Sequence, residues 1–165
     1  DDFTICVDVK TQTGDGDEGH WWSGVGLVSS AVPGAAKDFG LTMGDGRIMF
    51  GVGNPDTTLT SKDRINDGQW HEVVASRFQE TGEMSLWVDG ELQNSTRGPD
   101  GVLAASDFLD VGCLAKGVNH FTGHVRNLKI FDQSLTPMDL GYVVQESEPD
   151  MPALLLEQPA AEAAP

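Results

Sequence analysis

Chemistry in this chain would come from a few polar and aromatic clusters, and the densest lies near its start. Asp15-Gly16-Asp17-Glu18 places three carboxylates within four residues. Hard cations take oxygen ligands from loops of this kind, so calcium is the metal to consider at Asp15, Asp17 and Glu18. The twelve-residue spacing and closing Glu of an EF-hand are missing, and the alternative is a solvated acidic loop. His20, Trp21 and Trp22 follow directly. On a strand, adjacent residues face opposite sides. One tryptophan then enters a core while the other stands out as a platform for a sugar ring, with His20 beside it. The alternative is that both tryptophans seal the edge of the fold.

Other clusters point away from catalysis. Of the four histidines, only His120 and His124 are close in sequence, and an i, i+4 pair binds zinc on a helix. Phe121-Thr122-Gly123 between them reads as a loop entering a strand, which removes that geometry. No Gly-x-Ser-x-Gly elbow occurs, and neither Cys6 nor Cys113 sits in a context that would activate a thiol. Glu80 and Glu83 flank Thr81-Gly82 and read as solvated hairpin charges. Asn94-Ser95-Thr96 matches an N-glycosylation acceptor.

The chain has 165 residues, 39% hydrophobic and 22% charged, which suits one folded domain with a sizeable core. Ten basic against 26 acidic residues give a net charge of −16. Such a surface repels phosphate backbones and anionic lipid, so nucleic acid and membrane surfaces are excluded as partners. No apolar run approaches the ~20 residues of a membrane span. The opening Asp1-Asp2 reads as a processed chain or an excised piece of a larger protein. Two cysteines allow one disulfide at most or two half-buried thiols in strands.

The elements that must position these clusters read as all-β. Five Asp-Gly pairs punctuate the chain, at 15–16, 45–46, 67–68, 89–90 and 100–101, and Asp-Gly favours tight hairpin turns. Between the turns, strands are expected at 3–9, 22–29, 39–43, 47–52, 70–78, 83–88, 108–113 and 124–131. In the first, alternation puts Phe3, Ile5, Val7 and Val9 on one face. Short strands separated by turn signals make a sandwich or barrel rather than βαβ units. One short helix is expected near 136–140, with Thr136 as N-cap, Pro137 at the first helical position and Asp139 in the first turn. Residues 146–165 differ in kind: five acidic residues, no base and four prolines, with Leu154-Leu155-Leu156 as the only apolar anchor. They read as a tail or linker after a domain at 1–145. Three leucines do not offset the ordering of this stretch, so Ala153–Glu157 is expected to pair with a sheet edge in this or another chain.

Four segments in order carry a family resemblance. Asn66-Asp67-Gly68-Gln69-Trp70-His71-Glu72-Val73-Val74-Ala75 resembles the "dG-x-WHhVa" strand of laminin-G-like domains. Gly82 to Gly90 resembles their "g-x-l-x-lYvDG" strand and turn, and Phe121 to Phe131 is similar to the closing "f-x-G-x-i-x-x-vriyn" strand. Phe3-Thr4-Ile5-Cys6 resembles the early "FTi-x" strand, also found in pentraxins. The resemblance covers about residues 3–143. It implies a jelly-roll sandwich of two antiparallel sheets, the concanavalin A-like lectin/glucanase architecture, with His71, Trp70 and Trp87 in structural roles. The strand that usually precedes "FTi" is missing, which implies a sheet edge that is exposed or filled by the tail. Glucan hydrolases of this fold carry Glu-x-Asp-x-x-Glu, which occurs nowhere here, and two carboxylates must flank a scissile glycosidic bond. The resemblance also implies rim calcium, but Val111 to Gly117 does not reproduce the pentraxin ligand run.

The expectation is therefore a non-catalytic extracellular or cell-envelope module that binds a glycan or protein surface, with calcium assistance at Asp15, Asp17 and Glu18 and ligand contact at His20, Trp21 and Trp22. The alternative is a structural or assembly module of a multidomain adhesin or particle coat. That module would contact neighbouring domains or chains through its sheet edge and tail. A degenerate hydrolase is the third reading.

Overall fold

Apolar residues alternating with polar ones in short runs leave each strand one face to bury, and two sheets bury those faces against each other. The computed structural model describes residues 1–34, 37–104, 107–115 and 117–141. Its strands are β1 (Phe3–Lys10), β2 (Val25–Ser29), β3 (Phe39–Gly44), β4 (Arg47–Val52), β5 (Thr57–Arg64), β6 (His71–Phe78), β7 (Glu83–Val88), β8 (Glu91–Arg97), β9 (Asp110–Val111) and β10 (His124–Phe131), with a 3-10 turn at Trp21–Ser23. One sheet runs β10-β1-β6-β7-β8 and the other β5-β4-β3-β2-β9. The paired strands are antiparallel. The all-β, two-sheet sandwich read from the sequence is the observed architecture.

Between the sheets, Ile5, Val7 and Val9 meet Leu27, Leu41, Phe50 and Leu59, all essentially without solvent contact. Phe3 closes one end against Phe39, ring centroids 4.8 Å apart. On the β5–β8 side, Gln93 Oε1 accepts from Lys62 N (3.0 Å) and Asp63 N (3.1 Å), which links the two sheets. Arg77 is wholly buried and donates to the carbonyls of Asp1, Pro99 and Gly101 at 2.8–2.9 Å, pinning the start of the chain and the 98–101 loop. No helix among the described residues is long and apolar enough to cross a membrane.

Several elements differ from the sequence reading for identifiable reasons. Two of the Asp-Gly pairs make two-residue hairpins: Asp45-Gly46 joins β3 to β4 and Asp89-Gly90 joins β7 to β8, each with positive φ at both residues. The other three sit in longer loops. Strands β5 and β8 were not expected, because TTLTSKDR and ELQNSTR carry too few apolar residues to show alternation. The strand expected at 108–113 shrinks to Asp110–Val111, and Trp22 lies in a 3-10 turn rather than a strand. The expected helix is a single capped turn. Asp139 Oδ2 accepts from Thr136 N and Oγ1 at 2.8 and 2.7 Å, and Leu140 N donates back to Thr136 O at 3.2 Å. Gly141 follows at once, leaving no second turn. Cys6 donates to Glu72 Oε1 at 3.2 Å and is not joined to Cys113 by a disulfide. The tail boundary at 146 and the pairing expected of Ala153–Glu157 lie outside the described residues.

His71 holds two turns together. Its Nδ1 lies 2.7 Å from Asp89 Oδ2 and its Nε2 3.1 Å from Asp67 Oδ1. Burial pulls the imidazole pKa down, but the hydrogen bonds and charges of Asp89 and Asp67 outweigh it, so the folded value lies above 6.5. A raised histidine pKa gives stabilisation that is complete below the unfolded value and is lost as pH rises through the folded one. The melting temperature should therefore fall as pH rises from about 6.5, and His71→Gln should flatten that part of the profile. Thermal melts of both proteins across this range check it, and identical slopes would contradict it.

Candidate functional site

A site for a ligand takes shape on the outer face of the β5-β4-β3-β2-β9 sheet. Leu41 and Met43 of β3 and Ile48, Phe50 and Val52 of β4 point into the core, so Gly40, Thr42, Met49 and Gly51 line the other face. Gly40 and Gly51 are cross-strand partners. The bare patch they create admits the Trp21 ring at a distance no side chain would allow. A Cβ on Gly51 would stand 2.0 Å from Trp21 Cδ1, and one on Gly40 would stand 2.5 Å from Cε3. The main chain of Trp21 is fixed in place, its N donating to Thr58 Oγ1 (3.2 Å) and its O accepting from Thr42 Oγ1 (2.9 Å). Met49, Ala31 and Leu114 complete a second apolar cluster around the indole, which is 1% exposed. At about 25 cal/mol per Å² over roughly 150–250 Å² of aromatic surface, this burial contributes on the order of 4–6 kcal/mol as an upper bound.

Over this floor opens a cleft of about 320 Å³. One wall is Leu114, Ala115, Val118 and Asn119; Gly26 N donates to Asn119 O (3.0 Å) and Asn119 Nδ2 donates to Gly24 O (3.1 Å). The other wall is Ala31, Val32, Pro33 and Gly34, with Asp38 and Asp56. Asp38 is buried and its Oδ2 accepts from Val32 N at 2.8 Å. Burial raises the Asp38 pKa, the Val32 hydrogen bond lowers it, and the charge of Asp56 adds to the rise. Trp22 stands at the cleft 49% exposed, with the His20 ring stacked on it at 4.9 Å and nearly parallel. The Nε1 of Trp21 is buried and has no acceptor among the described residues. The cleft thus combines an exposed aromatic face and two carboxylates.

Of the residues singled out from sequence, Trp21 and Trp22 line this cleft and His20 adjoins it through Trp22. Asp15, Asp17 and Glu18 lie on an exposed loop, which Asp45 N ties down by donating to Gly16 O (3.2 Å). No group of three His, Cys, Asp or Glu able to hold a metal occurs among the described residues. His120 bridges Gly26 in the 112–120 region, whereas His124 begins β10 beside Trp70. Trp70 and Trp87 do not enter the core between the sheets. Trp70 is half-buried under the Arg126 guanidinium, 3.9 Å from the ring centroid, and Trp87 is half-buried on β7. Asn94 sits on β8, its Nδ2 donating to Thr60 O at 3.2 Å. Sequence reasoning missed Asp38, Asp56, Val32, Val118 and Asn119. They come from three separate loops, and only a turn-like Asn54-Pro55-Asp56 marks any of them locally.

A model of the concanavalin A-like lectin/glucanases superfamily, from its laminin-G branch, matches residues 1–141. The chain belongs to this superfamily. It is 34% identical over 138 residues to the basement membrane-specific heparan sulfate proteoglycan core protein of Mus musculus, covering 76% of this chain and 4% of that protein. Among solved structures, it is similar to the Ruminococcus gnavus IT-sialidase CBM40 bound to α2,3-sialyllactose (TM-score 0.66, 16% identity, 84% and 80% of the two chains). It is also similar to domain 4 of AbnA, a GH43 extracellular arabinanase from Geobacillus stearothermophilus, in complex with arabinotriose (TM-score 0.65, 22% identity, 84% and 64% of the two chains). These structures share the fold of this superfamily member.

The seat of Trp21 is directly testable. Gly51→Ala should cost about 1–3 kcal/mol or more through overpacking, seen as a lower urea midpoint, and should red-shift tryptophan emission as the indole is displaced. An unchanged midpoint and spectrum would show that Trp21 does not rest on this glycine.

Proposed function

We propose that this domain is a non-catalytic, extracellular glycan-binding module and that the outer-face cleft is its binding site. The observation that carries the reading is Trp22: a half-exposed indole, braced by a stacked His20, at a cleft that also holds two carboxylates. Aromatic platforms beside a few fixed polar groups are what sugar rings need, because a ring presents an apolar C–H face and a rim of hydroxyls. A volume of about 320 Å³ lies at the low end of small-ligand sites and suits one or two sugar rings. Likeness to carbohydrate-binding chains, one titled with sialyllactose and one with arabinotriose, supports the class. The relative named for basement membrane supports an extracellular setting. Among the described lining residues no Ser, Cys or His offers the nucleophile–base pair that acyl transfer needs. The assembly reading rests on a free sheet edge and on residues 146–165, of which the latter lie outside the described residues.

Trp22→Ala should weaken glycan binding by at least about tenfold, or about 1.4 kcal/mol, while leaving the melting temperature nearly unchanged, because the side chain is half in solvent. Glycan-array and calorimetric titrations read the loss. Undiminished binding would move the site elsewhere.

Binding on this reading is independent of metal. Melts in millimolar calcium and in chelator should coincide. A stabilisation of about 2.7 kcal/mol, as expected at 100 times a dissociation constant, would instead restore a site at Asp15, Asp17 and Glu18.

A further inference from the structure

The charged groups of the cleft narrow its ligand further. Asp38 and Asp56 line it, and no lysine, arginine or histidine stands among the described lining residues. The chain around it has a net charge of −16. An ionised carboxylate is acceptor-only, so these walls need a ligand that brings donors. A sugar hydroxyl brings one, whereas a sulfate or an ionised carboxylate does not. A ligand anion would also meet like charge twice, at contact with the wall that carries both carboxylates and at long range through the field of the whole protein.

Resting on the glycan-binding reading of this cleft, we infer that the site selects uncharged saccharides. Trp22 takes the C–H face of the ring, and Asp38 and Asp56 accept from its hydroxyls. The same two carboxylates turn away sialylated, uronate and sulfated glycans.

The full chain, labelled with ¹⁵N at tryptophan, is titrated with four neutral probes (arabinotriose, xylotriose, cellotriose and lactose). Sialyllactose, trigalacturonate, a heparin hexasaccharide and a glucosamine trimer follow, each at low and at high sodium chloride. The expected result is binding of at least one neutral probe, with less than about twofold change between the two salt conditions, because the contacts involve no ion pair. Every acidic probe should bind at least about tenfold more weakly, a gap worth about 1.4 kcal/mol. The Trp22 indole resonance should shift on binding of the neutral probe, and Asp56→Asn should narrow the gap for acidic probes. An acidic probe that binds as tightly as the neutral ones, and loses affinity in Trp22→Ala, would overturn charge selection while leaving the site in place. Tighter, salt-sensitive binding of the glucosamine trimer would overturn it in favour of a cationic ligand. Failure of every probe, or binding indifferent to Trp22→Ala, would bring down the reading of the cleft itself.

Discussion

The structure turns on the absence of two side chains. Gly40 and Gly51 face each other across β3 and β4 on the outer side of the sheet, and the gap they leave lets a tryptophan lie against the backbone. Sheets with one solvated face usually carry polar residues there. Here that face is covered, and β2, β3 and β4 are buried on both sides. Once Trp21 is fixed, the 3-10 turn at Trp21–Ser23 carries Trp22 outward, and Val32, Pro33, Asp38, Leu114, Val118 and Asn119 line the cleft around the pair. The candidate site follows from packing on the sheet rather than from any single loop.

The two layers divide the work. The core between the sheets supplies stability through interlocking aliphatic residues, and the edges are tied by specific polar contacts such as Gln93 with Lys62 and Asp63, and Arg77 with three carbonyls. Satisfying all the main-chain groups of Trp21 while leaving Nε1 without an acceptor is a local exception to the rule that buried donors are paired.

Much of the fold was legible because its signals are local. Alternation in Phe3–Val9 marks a central strand, and Asp45-Gly46 and Asp89-Gly90 mark true hairpins since both need positive φ. Strands β5 and β8 were illegible because they lie along one side of the sandwich and carry Thr, Ser, Lys and Asn, so pairing rather than pattern defines them. At the site, His20, Trp21 and Trp22 stood out by composition, but their arrangement did not. Strand logic would also have pointed the two rings apart, whereas the 3-10 turn does so by a different route. Asp38 and Asp56 were invisible because their importance depends on loops far apart in sequence converging on Trp22. The acidic loop is exposed, and Asp15, Asp17 and Glu18 join no group of three His, Cys, Asp or Glu among the described residues.

The most direct test is a set of nuclear Overhauser contacts between the Trp21 indole and the α-protons of Gly40 and Gly51, measured on the unmodified protein without ligand. The account predicts strong contacts to both glycines, with their α-protons shifted upfield by the ring and the indole N–H slow to exchange. An indole N–H that exchanges as fast as that of Trp22, with no contact to either glycine, would contradict it.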